Sequence, residues 1–391
     1  YFILKYINSG FLKYIFGFAF SLGLGILTKG TTYIFAFPFC IWIGFYVIMK
    51  NRKHFIYLFI IPLMVLILNI GHFNRNINLF GNPLGFNKDS VSTKTINEVI
   101  NIKTMTSNLI RNIGLNLSVP NKKINIFTAQ KITSFLNHLN ISTEDPATTW
   151  IPRHGYYIPF SFYESTAPNT LHFIIILLLI FFIICRKKLS NKEKNYYYSI
   201  IAGFIFFSLL LKWTGVNNRL LLNLFVLCSP MVGFLLFKYQ FNKLTRILVI
   251  GLLLYSVPYI LFNKSRPLLA EMNLKNGSPE FSKPFFLTET REERYFIANR
   301  LYNSKKKKYK NLYEYYSKAV EKIKMSNCDR VGFNSAGRNI EYPLWVLLKK
   351  NLNNENLKFF IVDVENKSAS IEIDSENLCA IVYLDKVIIL N

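Results

Sequence analysis

The residues best suited to chemistry in this chain are cations and proton carriers that stand beside long apolar runs. Lys29 sits in "LTKGT", Arg75 in "GHFNRNINLFGNPLG", Arg219 at the end of "KWTGVNNR", and Lys264 and Arg266 in "NKSRPLL". Cations gathered at one membrane level can bind a phosphate or pyrophosphate held in the headgroup layer, Arg through its planar fork and Lys as a point charge. The competing reading is that Lys and Arg at span ends snorkel and anchor helices. Lys29 favours the ligand reading, because both neighbouring runs have room to end without it and Gly30 lets a partner come close. Glu144, Asp145, Arg153, His154 and Glu164 lie in "TEDPATTWIPRHGYYIPFSFYESTAPNTLHF". His154 and Glu164 have the chemistry for acid/base work, although a surface His without a role is the commoner case. Glu144 before Asp145-Pro146 also fits a turn cap. No Ser-His-Asp spacing and no zinc-type His/Cys cluster is present, no cofactor is indicated, and a divalent metal is left open.

Seven apolar runs would position these residues, at about 11–27, 31–49, 55–70, 171–185, 196–211, 220–237 and 247–262. Each approaches the roughly 20 residues a helix needs to cross about 30 Å of hydrocarbon. The chain of 391 residues is 51% hydrophobic and 16% aromatic, and the clustering of that content predicts a polytopic α-helical membrane protein. The connections "KNRKH", "RKKLSNKEKN" and "KYQFNKLTR" follow the second, fourth and sixth runs and are all basic. The positive-inside rule places them in the cytoplasm. Lys29, the 71–170 segment and everything after 262 then face outward, on the far side of the cytoplasmic membrane. The expected order is spans over 1–70, an extracytoplasmic loop over 71–170, spans over 171–262 and an extracytoplasmic α/β domain over 263–391.

A charge of +25, from 47 Lys+Arg against 22 Asp+Glu, suits anionic lipids or lipid-linked substrates. Compositional drift toward Lys, Asn, Ile and Phe explains much of it as well. The chain begins at Tyr1 with neither a basic n-region nor a cleavage site before its first apolar run, so the expectation is that an N-terminal part precedes it.

The outer loop is not a plain linker. Residues 91–118 carry Ile96, Val99, Ile100, Leu109, Ile110, Ile113 and Leu117 at roughly helical spacing. Residues 124–140 repeat the pattern with Phe127, Phe135, Leu136 and Leu139. Such helices lie in the membrane interface or pack on the spans. In the tail, helices at about 311–325 and 340–352 alternate with "RVGFN", "KFFIVDV" and "LCAIVYLDKVIIL", the pattern of a small α/β domain. "GFNSAGRN" lacks the spacing and the Lys-Ser/Thr ending of a phosphate loop. Cys40, Cys185 and Cys228 read as apolar fillers. Cys328 and Cys379 flank predicted strands in a compartment that permits disulfides, and a bridge between them is one option.

"LTKGT", "FNRNINLFGNPLG", "DPATTW", "NNRLLLNLFVLCSP", "NKSRPLL" and "EYPLWVLL" together resemble bacterial glycosyltransferase family 39 proteins. These are similar to dolichyl-phosphate-mannose–protein mannosyltransferases and aminoarabinose transferases, of the multi-spanning GT-C fold. The resemblance covers most of the chain. It implies inverting transfer of a sugar from a polyprenyl-phosphate donor to an acceptor hydroxyl on protein, lipid or polysaccharide, outside the cytoplasmic membrane, with no nucleic acid involved. A carboxylate in the first outer loop would act as base, and cations would hold the departing lipid phosphate. By motif position Lys29 is such a cation, with Arg75, Arg219 and Arg266 beside it. The family's acidic loop would lie upstream of Tyr1, so no carboxylate takes the base role by motif. Two other readings are a non-catalytic membrane assembly protein and a transporter of lipid-linked sugars. The second is disfavoured by spans almost free of mid-span charge and by the lack of an internal repeat.

Overall fold

In the computed structural model the described residues are 1–85, 95–150, 155–185, 189–263, 268–270, 272–275, 278–281, 312–334, 341–352, 356–364, 367, 369, 377–383 and 386–390; the side chains of 182–185, 273–275, 278–279, 312 and 352 are not described. The chain is mainly helical and folds as two compact units, Tyr1–Ile260 with Met272–Glu280, and Leu261–Glu271 with Phe281–Asn391.

A helix occupies each of the seven apolar runs. In the first unit α1 (Phe2–Ser9) precedes α2 (Lys13–Thr28) and α3 (Thr31–Lys50). A 3-10 stretch, Arg52–Phe59, leads into α4 (Ile60–Phe80). Two helices of the intervening loop, α5 (Ile102–Asn116) and α6 (Lys122–His138), come next. Then follow α7 (Thr170–Cys185), α8 (Asn191–Leu210), the short α9 (Asn217–Leu220), α10 (Leu222–Lys238) and α11 (Asn242–Leu261). Thr31–Lys50, Arg52–Phe80 and Asn242–Leu261 are long and apolar enough to cross a membrane; Lys13–Thr28, the described part of α7 and Leu222–Lys238 are shorter apolar helices. On α4 Leu63, Leu66, Ile67 and Ile70 are exposed, as are Ile247, Ile250, Leu253 and Leu254 on α11. An apolar surface of this extent is a membrane-protein surface. The third helix also runs on to Phe80 rather than ending near 70, so Arg75 is helical and lies on the span's own continuation.

The helix ends follow from local chemistry. Gly81, at φ 73°, closes α4 in the left-handed conformation that favours glycine. In the basic "RKKLSNKEKN" connection, Ser190 and Glu193 form a reciprocal capping box at the start of α8. Lys238 at the end of α10 pairs with Glu193 at 2.9 Å. The core of the unit is built from Tyr6, Ile15, Phe35, Phe39, Val47, Phe207 and Leu221. Cys228 is a buried free thiol and Cys40 a free thiol; the side chain of Cys185 lies outside the described residues.

The second unit is a small α/β arrangement. Strands β1 (Arg330–Phe333), β2 (Lys358–Ile361), β3 (Ala380–Val382) and β4 (Val387–Ile389) form one mixed sheet in the order β2-β1-β3-β4. β1 pairs parallel with β2 and β3, and β4 returns antiparallel to β3. "LCAIVYLDKVIIL" is thus two strands, its reversal closed by the Tyr383 N–H donating to the Lys386 carbonyl. The helix α12 (Leu312–Met325) buries Tyr316, Ala319, Val320 and Ile323, and α13 (Glu341–Leu352) buries Leu344, Leu347 and Leu348. Each fully buried side chain contributes about 1.5–3 kcal/mol. A Cys328–Cys379 disulfide ties the residues before β1 and β3, so the optional bridge is formed.

Candidate functional site

The centre of the segment between α4 and α7 is a polar core. Along α5 the buried positions are Thr104, Ser107, Asn108, Arg111, Asn112, Gly114, Leu115 and Asn116. Most share one helix face, yet all but Gly114 and Leu115 are polar or charged. The Arg111 guanidinium donates to the Thr143 carbonyl at 3.0 Å, to Thr149 Oγ1 at 2.6 Å and to Asn108 Oδ1 at 2.6 Å. It also lies over the Trp213 ring, 5.4 Å from the centroid. Burial pulls its pKa down to about 10, against the opposing pull of Tyr156 and Asp145. Arg111 therefore staples the "TEDPATTW" segment to α5. Of the apolar residues that sequence periodicity picks out, Ile113 and Leu117 pack against the helical core, one of the two expected placements, while Val99 and Ile100 are exposed. The opposite face of α5 is buried as well, against backbone carbonyls and polar side chains rather than methyl groups.

From this core the loop after α8 carries three consecutive residues to three places. Asn217 donates to Asn112 Oδ1 at 3.0 Å, Asn218 donates to the Ala167 carbonyl at 3.2 Å, and Arg219 Nη1 reaches Ser165 Oγ at 3.5 Å. Asn217 and Asn218 are buried, so Arg219, which is exposed, projects from a fixed base. The two-residue turn between α2 and α3 presents Lys29, whose Nζ donates to the Arg219 carbonyl at 3.2 Å. Its pKa lies below the ordinary lysine value, first through burial and second through the Arg219 charge. The partly buried Lys29 and the exposed Arg219 therefore form a cation pair, 190 residues apart in sequence.

Below this pair an apolar cleft of about 580 Å³ opens between helices, lined by Phe18, Phe35, Phe39, Trp42 and Leu227. Its polar rim is Gly25, Thr32 and Asn223. Gly25 accepts from the Lys29 N–H at 3.0 Å, Thr32 donates to the Gly25 carbonyl at 2.9 Å, and Asn223 donates to Thr31 Oγ1 at 3.1 Å. Asn223 is one helical turn past Arg219. The rim of the cleft is thus made by the neighbours of both cations.

The other candidates separate. Glu164 is exposed and is next in sequence to the buried Ser165, whose hydroxyl Arg219 reaches. Asp145 is a turn cap: its Oδ1 accepts from the Ala147 N–H at 2.9 Å and its carbonyl from Thr148 and Thr149. Glu144 is exposed, with Oε1 against Gly155. Arg75 is exposed and contacts His72 at 3.3 Å, while its neighbour Asn76 is the buried member, bonded to His72 and to the Pro83 carbonyl. Asn69 on α4 donates to the Gly23 carbonyl on α2 at 3.0 Å. From that contact Lys29 and Arg75 are each six residues onward, a rise of about 9 Å along either helix. His154, Arg153, Lys264 and Arg266 lie outside the described residues. Among the described residues no group of three or more His, Cys, Asp or Glu could hold a metal ion. Sequence reasoning missed Arg111 and Asn112, whose signal was a run of polar residues at helical spacing, and Ser165, which lies in a turn segment and had none.

No known protein family, characterised protein or solved structure matches this chain.

Proposed function

We propose that the chain is a membrane glycosyltransferase that takes its sugar from a polyprenyl-phosphate donor. The observation that carries this reading is the Lys29–Arg219 pair, whose near neighbours in sequence, Gly25, Thr32 and Asn223, line an apolar cleft. That combination suits a lipid phosphate, with the prenyl chain in the cleft and the phosphate on the cations. In the transfer the acceptor hydroxyl loses its proton to a carboxylate and its oxygen bonds to the anomeric carbon. The bond from that carbon to the phosphate oxygen breaks, and the departing phosphate gains the negative charge that Lys29 and Arg219 hold. Among the described carboxylates, Glu164, next in sequence to the serine that Arg219 contacts, is the one we assign to take the proton. The seven helices are then spans, with the outer loop and the α/β unit extracytoplasmic.

The test is transfer from a radiolabelled polyprenyl-phosphate sugar in proteoliposomes. Lys29→Ala should lower it by about 100-fold or more, the scale set by deleting one donor to a developing charge, with the protein still folded in the membrane. Unchanged transfer would remove the reading.

A further inference from the structure

A second concavity, of about 630 Å³, lies between α6 and the extended 155–160 segment. Its floor is fixed: Ala129, Tyr156 and Ile158 pack with Trp213 in a buried cluster, and the Tyr156 hydroxyl donates to the Arg111 carbonyl at 3.1 Å. Its open side presents Asn121, Gln130, Thr133 and Ser134 from the start and length of α6, facing Tyr157 and Phe160. Among the described residues of this lining Lys122 is the one charged side chain, and none is a carboxylate. Such a lining matches a neutral ligand: a cation meets no carboxylate in it, and an anion meets a single exposed lysine. An extended peptide is a poor fit, because adding a strand needs a row of free backbone groups. Pro159 has no N–H, and its carbonyl already accepts from Ser118 Oγ at 2.7 Å.

We propose that this groove binds a neutral oligosaccharide, whose C–H ring faces lie on Tyr157 and Phe160 and whose hydroxyls pair with Gln130, Thr133 and Ser134. Pockets of this size combine an apolar wall with a few placed polar groups. The groove is also tied to the cation pair. Tyr157 stands edge-on to Trp213 at 5.6 Å, and its hydroxyl lies over Gly215, where an added Cβ would come within 2.6 Å. Gly215 is four residues before Arg219 on the same loop. Resting on the transferase reading, the bound saccharide is the acceptor, held at one end of the loop whose other end holds the donor phosphate.

The experiment is binding of the full chain, in phosphatidylcholine nanodiscs, to an array of neutral hexose and N-acetylhexosamine oligosaccharides, with neutral Ser/Thr peptides as the alternative. The expected result is saccharide binding that Gln130→Arg and Tyr157→Ala each weaken by about tenfold or more, while Lys29→Ala leaves it intact. Gln130 is exposed, so its variant tests the groove without disturbing the floor. No saccharide bound, saccharide binding that Gln130→Arg does not alter, or binding of peptides alone would overturn the proposal. Saccharide binding by a chain that shows no transfer would leave the groove standing and remove only the transferase reading.

Discussion

Helices α5 and α12 have the same periodicity and opposite insides. The first buries Thr104, Ser107, Asn108, Arg111 and Asn112, and the second buries Tyr316, Ala319, Val320 and Ile323. In α12 the inward face is held by area removed from water, which is non-directional. In α5 it is held by hydrogen bonds to named carbonyls and amides, which work only at one geometry and are costly to leave unmade. The apolar core tolerates approximate shape, whereas the polar core demands every partner. The loop that carries Arg219 is positioned by the second kind of core.

The largest effect expected from this contrast is at Arg111. Arg111→Ala leaves Thr149, Asn108 and the Thr143 carbonyl without their shared donor and should cost about 3–5 kcal/mol, as breaking a buried charged network does. Ile323→Ala in α12 should cost about 2–5 kcal/mol by cavity formation. The sharper discriminator is the conservative change. Arg111→Lys should recover little, because a point donor cannot replace the fork, while Ile323→Val should recover most of the loss, since Ile→Val typically costs only about 0.5–1.5 kcal/mol. Chemical unfolding in detergent measures all four, and equal recovery at both sites would break the comparison.

Next comes the disulfide, which belongs to the apolar-cored unit alone. Cys328 and Cys379 are separated by 51 residues, and their joint replacement by Ser should cost about 2–4 kcal/mol through the freed chain. Trp345 on α13 reports this unit and Trp213 reports the polar core. The change should lower the Trp345 unfolding midpoint and leave that of Trp213 unmoved. Matching shifts at both would mean that the two cores unfold together.

The same contrast explains how much could be read before the structure. Membrane helices follow from apolar run length, so a helix stands at each predicted place. Lys29 was legible because a lone charge between two apolar runs asks for a reason. Arg111 was not, since the apolar stripe of Leu109, Ile110, Ile113 and Leu117 drew attention to the other face, and half of its bonds go to backbone carbonyls, which carry no sequence signal. A turn cap was legible before Pro146, but it was expected at Glu144 and the structure gives it to Asp145. The order β2-β1-β3-β4 was hidden, because parallel pairing joins strands by long crossovers that leave no local pattern. That Lys29 meets Arg219 is likewise a contact over 190 residues that no spacing encodes.

Arg111 and Lys29 make the closest comparison of all. Each is a cation bonded to backbone carbonyls, and each has its pKa lowered mainly by burial. Arg111 is fully enclosed by the protein and has no route to a ligand, whereas Lys29 is half-buried beside a second cation. A phosphate binds the protonated ammonium, so binding of a polyprenyl phosphate should fall as pH rises through the lowered Lys29 pKa. Arg219→Gln removes the second cause of that lowering and raises the pKa. The variant should therefore bind more weakly at neutral pH, yet its alkaline decline should begin at higher pH than in the parent chain. Titrating polyprenyl-phosphate binding from pH 7 to pH 11 in both proteins reads this shift. An alkaline decline that stays in place when Arg219 is changed would make Lys29 an anchor for its helix end, as Arg111 is for its loop, and not a ligand for phosphate.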